Sequence, residues 1–198
     1  MKRTNLLTLL GVVAVPAMVA WTTPGHIATL QPASRLWVTG TSTVRDFTCQ
    51  AKVVDASAET TSPETAKDIM AGQKAVLSLD VKIRPENMDC ANNTMNEHMR
   101  KALKADANPV IEFKLSSYEM FSTSDKVTGR LTGTLKLGGV EKQITFDALG
   151  NATPDGALHV TGAYPLLMTD YGLKAPSLMM GAMKVNPKVK VNFDLLLK

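Results

Sequence analysis

Residues 75–84 read AVLSLDVKIR, and from Leu77 onward apolar and polar side chains alternate strictly. A period of two places Ala75, Leu77, Leu79, Val81 and Ile83 on one face of a strand, and Ser78, Asp80, Lys82 and Arg84 on the other. The pattern recurs along the chain. It brings Ile111, Phe113 and Leu115 together in one run, and Val127, Leu131, Leu135 and Leu137 in the next. Ile144 with Phe146, then Leu158, Val160 and Tyr164, then Val189, Val191, Phe193, Leu195 and Leu197 complete the series. With two earlier segments, RLWVTGTS and FTCQAKVVDAS, the pattern predicts about eight strands. Gly138-Gly139 and the TPDG at 153–156 read as tight turns, so neighbouring strands are expected to be antiparallel and joined locally.

Eight alternating strands describe either a barrel in a membrane or a barrel in water. A membrane barrel turns an apolar band outward between aromatic girdles. Here one strand face carries Asp80, Lys82, Arg84, Lys114, Arg130, Lys136, Lys188, Lys190 and Asp194, and aromatic residues make up only 5% of the chain. The charged face therefore belongs outside, which predicts an all-β, eight-stranded antiparallel barrel with an apolar interior. Such a barrel is just wide enough for packed side chains or for one small ligand, and periodicity alone does not choose between them. Gly129 and Gly133 share the inward face with Leu131 and Leu135, where missing side chains let a strand bend or leave room.

One segment changes period. In Asn93–Ala105, Met95, Met99, Ala102 and Leu103 recur at helical spacing, with Asn93 a candidate N-cap. Residues 55–68 are polar enough to read as a loop or edge linker. The stretch PSLMMGAMKV reads as a short helical turn or loop, because Gly181 opposes a long helix.

The first residues, MKRTNLLTLLGVVAVPAMVAW, place a basic tip before an apolar run, the pattern of a secretory signal. Residues 1–28 are assigned to it, with cleavage after Ala20 or Ala28, and 34–198 to the barrel domain; the expected location is the periplasm or outside the cell. An uncleaved N-terminal anchor is the alternative. Without Lys2 and Arg3, the 22 basic residues fall to 20 against 18 acidic ones. So small a surplus, with no tight basic cluster, argues against nucleic acid as a partner and leaves room for transient contact with a membrane surface. Cys49 and Cys90, the chain's two cysteines, lack C-x-x-C spacing and are expected to form a structural disulfide in an oxidising compartment.

No catalytic constellation is visible. His26, His98 and His159 make no H-x-x-x-H pair or Cys/His cluster, and there is no G-x-S-x-G turn. The expectation is a protein that is not an enzyme and needs no cofactor or metal. Met179, Met180 and Met183 remain ambiguous: thioethers select Cu(I), and they also make adaptable apolar walls. A periplasmic Cu(I)-binding protein therefore stays open as one alternative, and an interaction module with a filled core as another.

Four stretches together resemble one family. WVTGTSTVRDFTC at 37–49 looks like the opening of YceI-like domains, in a subgroup where G-T-S-T replaces a His-Ser start. NTMNEHMRKALKADANPVIEFK at 93–114 is similar to the family's helix and following strand, VTGRLTGTLKLGGVEKQITFDA at 127–148 to its hairpin, and MTDYGLKAPSLMMGAMKVNPKVKVNFDL at 168–195 to its D-F/Y-G segment and closing strand. The resemblance implies a lipocalin-like barrel with a long apolar tunnel for a polyisoprenoid or similar lipid, and binding or transport instead of catalysis. On that reading the ligand is an isoprenoid chain, as in the tail of a quinone or prenyl phosphate. Its expected wall is Leu77, Leu79, Val81, Ile111, Phe113, Leu115, Leu131, Leu135, Ile144, Phe146, Leu158, Val160, Tyr164, Phe193 and Leu195. Met95, Met99, Leu103, Met179, Met180 and Met183 would close or line the mouth.

Overall fold

The computed structural model describes residues 25–122 and 126–198. The signal segment therefore falls outside the described residues as far as residue 24, and so do the side chains of Leu178 and Met179. Along the chain the strands are β1 (His26–Thr29), β2 (Arg35–Gly40), β3 (Phe47–Ala51), β4 (Asp55–Thr60), β5 (Val76–Ile83), β6 (Met88–Asp89), β7 (Ile111–Ser122), β8 (Val127–Leu137), β9 (Val140–Ala152), β10 (Leu158–Leu167), β11 (Ser177–Leu178), β12 (Met183–Lys184) and β13 (Lys188–Leu197). Among the described residues two α-helices interrupt them, α1 (Thr65–Met70) and α2 (Asn93–Ala102).

Eleven of these strands form one antiparallel sheet in the order β1-β4-β5-β7-β8-β9-β10-β13-β2-β3-β6. The sheet curls until its first edge meets β13: Leu30 bridges Leu197, Thr29 and Lys198 exchange backbone hydrogen bonds of 2.8 and 3.0 Å, and Gln31 N–H donates to the Leu196 carbonyl at 2.8 Å. β1 and β2 thus lie along one side of β13 as a single bent strand, and β3 and β4 pair with them as a second. Counted this way the wall has the expected eight members. The larger number of separate strands comes from the breaks at residues 31–34 and 52–54, and from the short β6 paired on the edge of β3.

The polar segment expected at 55–68 instead contributes β4 and α1. Its inward residues are Ala56, Ala58 and Thr60, too small and too polar to register as an apolar stripe, yet Ala58 and Thr60 are only 2% and 1% exposed. The Thr60 hydroxyl donates within reach of the His26 and Ser62 carbonyls, at 3.2 and 3.1 Å, which satisfies it in the core. β1 was hidden for a similar reason, so the sheet starts at His26, ahead of the boundary expected at residue 34.

α2 starts one residue earlier than its sequence suggests. Asn92 is the extended N-cap and accepts from the Met95 N–H at 3.0 Å, while Asn93 is already helical. The Cys49–Cys90 disulfide, 41 residues apart in sequence, ties β3 to the chain entering this helix. The PSLMMGAMKV stretch becomes a small hairpin, β11 paired with β12 around a 3-10 turn at Met179–Gly181.

Outside the barrel, charges pair across strands. Arg130 Nε donates to Asp147 at 2.9 Å from directly opposite positions, and Glu112 lies between Lys82 and Lys114 at 3.6 and 3.4 Å. Exposed pairs like these contribute a few tenths of a kcal/mol each, and their larger role is to hold the register that points the other face inward.

Candidate functional site: an apolar cavity inside the barrel

The inward faces enclose a cavity of about 640 Å³. That falls within the range of roughly 300–1,000 Å³ typical of small-molecule sites. Its wall contains Leu79, Val81, Ile111, Phe113, Leu115, Leu131, Leu135, Ile144, Phe146, Leu158, Val160, Tyr164, Phe193 and Leu195, together with Met95, Met99 and Leu103 from the α2 segment and Met183 from β12. In a solidly packed barrel all of these would be buried. Leu135, Ile144, Leu158 and Leu195 are, but Leu79, Val81, Phe113, Leu115, Leu131, Phe146, Val160 and Phe193 keep accessible surface although they face the axis. The interior is hollow where they meet.

Two expected wall residues are elsewhere. Leu77 is 58% exposed. The register of β4 on β5 runs from Glu59↔Ser78 to Thr60↔Val76, so a β-bulge leaves Leu77 without a partner and turns it outward, and Val76 takes the place on the wall. Met180 is fully exposed and lines nothing, because it occupies the tip of the turn between β11 and β12. Met183 meets the cavity while Met180 faces solvent, so the structure does not gather these two thioethers. The Met179 side chain lies outside the described residues. Among the described residues, no group of three His, Cys, Asp or Glu side chains is arranged to hold a metal ion.

A second bulge in β7 had a similar effect on legibility. The pairing passes from Leu115↔Gly133 to Ser117↔Thr132, which reverses the phase of the strand. Tyr118 and Met120 consequently face the cavity along with Ile111, Phe113 and Leu115. The Tyr118 hydroxyl accepts from the Val76 N–H at 3.0 Å, joining the two irregular strands at their bulges.

Aromatic rings shape the wall. Phe146 is the hub, with ring centroids 5.5 Å from Phe113, 6.1 Å from Tyr164 and 5.6 Å from Phe193. Phe193 lies over Gly162 directly across the sheet, Phe47 covers Gly40, and Phe113 covers Gly133, so that a Cβ at any of these glycines would overlap a ring. Gly133 therefore provides a seat for Phe113 and no free space. Gly129 and Gly150 are different: both line the cavity, and around Gly150 the nearest atoms to an added Cβ are 3.8–4.0 Å away, ordinary contact distances.

Apart from Tyr118, whose hydroxyl is bonded to the Val76 N–H, and Tyr164, the polar lining lies at one end of the cavity. Ser42 and Arg45 from the β2–β3 loop, and Asn92, Thr94 and His98 from the start of α2, contribute to the lining there. These are loop and helix-edge residues with no strand periodicity, and the sequence carried no signal that would assemble them. The opposite end is closed by Ile69 of α1 with Val127, Ala148 and Leu158.

His159 belongs to the outer surface. Its Nε2 is 2.7 Å from Asp194 Oδ1, and Arg35 approaches the other carboxylate oxygen at 3.5 Å. This cross-strand cluster lies on the face of the sheet opposite the cavity lining.

Below the mouth, the D-Y-G segment packs Tyr171 into the core with only 2% of its surface exposed and no hydrogen-bond partner for its hydroxyl among the described residues. Burial, with smaller contributions from Tyr164 and Asp170, pushes its phenol up to about 12. Between pH 10 and 12 the unfolded chain loses this proton and the folded chain keeps it, so stability is expected to fall as pH rises through that window. Urea unfolding of Tyr171→Phe should show a shallower decline there and no loss at neutral pH, since no hydrogen bond is removed.

Fold and site together define a hollow, apolar-lined antiparallel barrel with one polar mouth. A family model for the YceI-like domain matches residues 29–197, and the chain belongs to that family. Among solved structures it is similar to Burkholderia cenocepacia BcnA, with a TM-score of 0.67 at 16% identity over 84% of this chain and 98% of that one. It is also similar to a protein from Saccharophagus degradans described as a polyisoprenoid binding domain implicated in plant cell wall breakdown, with a TM-score of 0.61 at 16% identity over 86% and 97%. A Campylobacter jejuni YceI protein follows with a TM-score of 0.51 at 21% identity over 74% and 83%. No curated protein matches the chain significantly.

Proposed function

We propose that this protein is a carrier that holds a polyisoprenoid, or a similarly long apolar chain, along the barrel interior, with the polar end of the ligand at the Ser42–Arg45 and α2 mouth. One observation carries the reading: Phe113, Leu131, Phe146 and Phe193 face the barrel axis yet keep accessible surface in a cavity of about 640 Å³. Leaving such a wall wet is unfavourable, and each methylene that dries it contributes about 0.8 kcal/mol. The description of the Saccharophagus degradans relative as a polyisoprenoid binding domain supports the same class of ligand. The quinone tail and the prenyl phosphate are the chemical classes that present such a chain with a polar head. The role is binding, and no residue is assigned to catalysis.

Export accompanies this reading. Cleavage after Ala20 leaves β1 whole, whereas cleavage after Ala28 would remove His26, Ile27 and Ala28 and strip β4 of most of its outer partner. On this reading the mature chain starts before His26 and works in the periplasm or outside the cell. An oxidising compartment also suits the disulfide.

The test is displacement. A fluorescent fatty-acid analogue that brightens in apolar surroundings should bind the purified protein at one per chain and be displaced by a linear polyprenol. Binding of the probe with no displacement by polyprenols would overturn the isoprenoid assignment.

A further inference from the structure

The structure points to a docking surface around the cavity mouth, and we propose that its partner is an anionic lipid bilayer; the proposal rests on the carrier reading, for which a bilayer is the natural source and destination of a water-insoluble chain. The β2–β3 loop and the β11–β12 hairpin form a single rim. Ser42 bridges Val185, Thr43 N–H donates to the Lys184 carbonyl at 3.0 Å, and Thr43 Oγ1 donates to the Ala182 carbonyl at 3.0 Å while accepting from Lys184 N–H at 3.1 Å.

This rim carries two apolar prongs into solvent: Val44 is 63% exposed and Met180 is fully exposed. Met180 also has φ of 55°, the left-handed region that methionine avoids and that glycine or asparagine normally occupies. An apolar side chain is thus held outward at the position where a small or polar residue would fit the backbone better.

Charge at this end favours the same partner. Arg45 and Lys174 on the loops, Lys184 on β12, and Arg100, Lys101 and Lys104 on and after α2, form no salt bridge among the described residues. On the barrel wall Lys82, Lys114, Arg130 and Lys136 are matched to carboxylates, while Lys142, Lys188 and Lys190 form no salt bridge among the described residues. Asp46, Glu97, Asp106 and Asp170 offset only part of the charge near the mouth. Apolar prongs on the rim, with cations outside any salt bridge on the neighbouring loops and on α2, match the acyl layer and the phosphates of an anionic membrane surface. The exposed Phe121 and Leu149 do not share this setting, since they flank Thr128 on the outer wall beside the paired Arg130.

Flotation of the whole protein with vesicles of phosphatidylcholine, with and without phosphatidylglycerol, tests the surface. Binding is expected only with the anionic lipid and should decline with added salt. The Lys184→Glu change should weaken it by about tenfold. Met180→Asn should weaken it as well, and because asparagine suits the left-handed backbone the fold is retained; Phe121→Ser should leave it unchanged. Neither Lys184 nor Met180 lines the cavity, so uptake of the fluorescent fatty-acid analogue in solution should stay intact in both variants. Equal binding of the wild type and both mouth variants, or loss through Phe121→Ser, overturns the docking surface while leaving carriage standing. Intact vesicle binding with no solution uptake by any of the proteins overturns carriage instead.

Discussion

Replacing Gly150 with leucine is expected to shorten the longest chain the protein accepts by about one prenyl unit. Gly150 lines the cavity near its closed end, on the inward face of β9, and an added Cβ there meets nothing closer than 3.8 Å. A leucine side chain brings four carbons into empty space, close to the five of an isoprene unit. For a polyprenol that fills the wild-type cavity, the loss corresponds to about 3 kcal/mol, roughly a hundredfold in affinity. A chain one unit shorter should bind as before. Displacement titrations with polyprenols differing by single units would read this directly, and equal weakening at every length would show that no ligand reaches the closed end. The change at Gly150 should also leave stability unaltered or slightly raised, because it fills a void. The same substitution at Gly162 should destabilise by about 1–3 kcal/mol, because Phe193 already occupies the space and has to be displaced. A barrel with a filled core would respond to both changes alike.

The second large effect is expected from the disulfide. Cys49 and Cys90 close a loop of 41 residues. On the loop-entropy account this contributes about 4 kcal/mol. For a chain of this size, losing it should lower Tm by roughly 8–16 °C. The structural consequence is local as well, since the bridge holds β3 against the segment that leads into α2, and Met95, His98 and Met99 of that helix line the cavity. The Cys49→Ala/Cys90→Ala double variant should therefore lose thermal stability and release a bound apolar probe below its own unfolding temperature. A drop of less than about 2 °C would show that the bridge contributes little to either.

Much of the barrel could be read from residues alone, and the exceptions have physical causes. β7 to β10 and β13 are ten or more residues long and place Leu, Val, Ile or Phe on the inward face, so a period of two is unmistakable. β1 and β4 are short and turn Ala and Thr inward, and their burial depends on the neighbouring strands, which no local pattern reports. A strict alternation also fails at each bulge. One extra residue sent Leu77 outward, and another brought Tyr118 and Met120 inward. The distinction between a hollow and a filled barrel lies beyond periodicity altogether. It depends on where rings cover glycines, as Phe193 does at Gly162, and where a glycine such as Gly150 stays uncovered. The mouth is the least legible part, because Ser42, Arg45 and His98 meet only once the fold has joined a loop to a helix edge.

The Met179–Met183 stretch shows how topology changes the meaning of a composition. Three methionines in five positions invite a soft-metal reading, but the hairpin points Met180 to solvent and places Met183 on the cavity. The separation follows from the turn: Met180 occupies its tip with positive φ, and Met183 begins the returning strand.

The most direct measurement is the mass of the intact, natively folded mature protein as purified from its own host, before and after organic extraction. The account predicts one noncovalent apolar adduct per chain whose mass matches a prenyl-bearing lipid, lost on extraction and regained when a polyprenol of that length is added. A protein that arrives empty and takes up no polyprenol would contradict it.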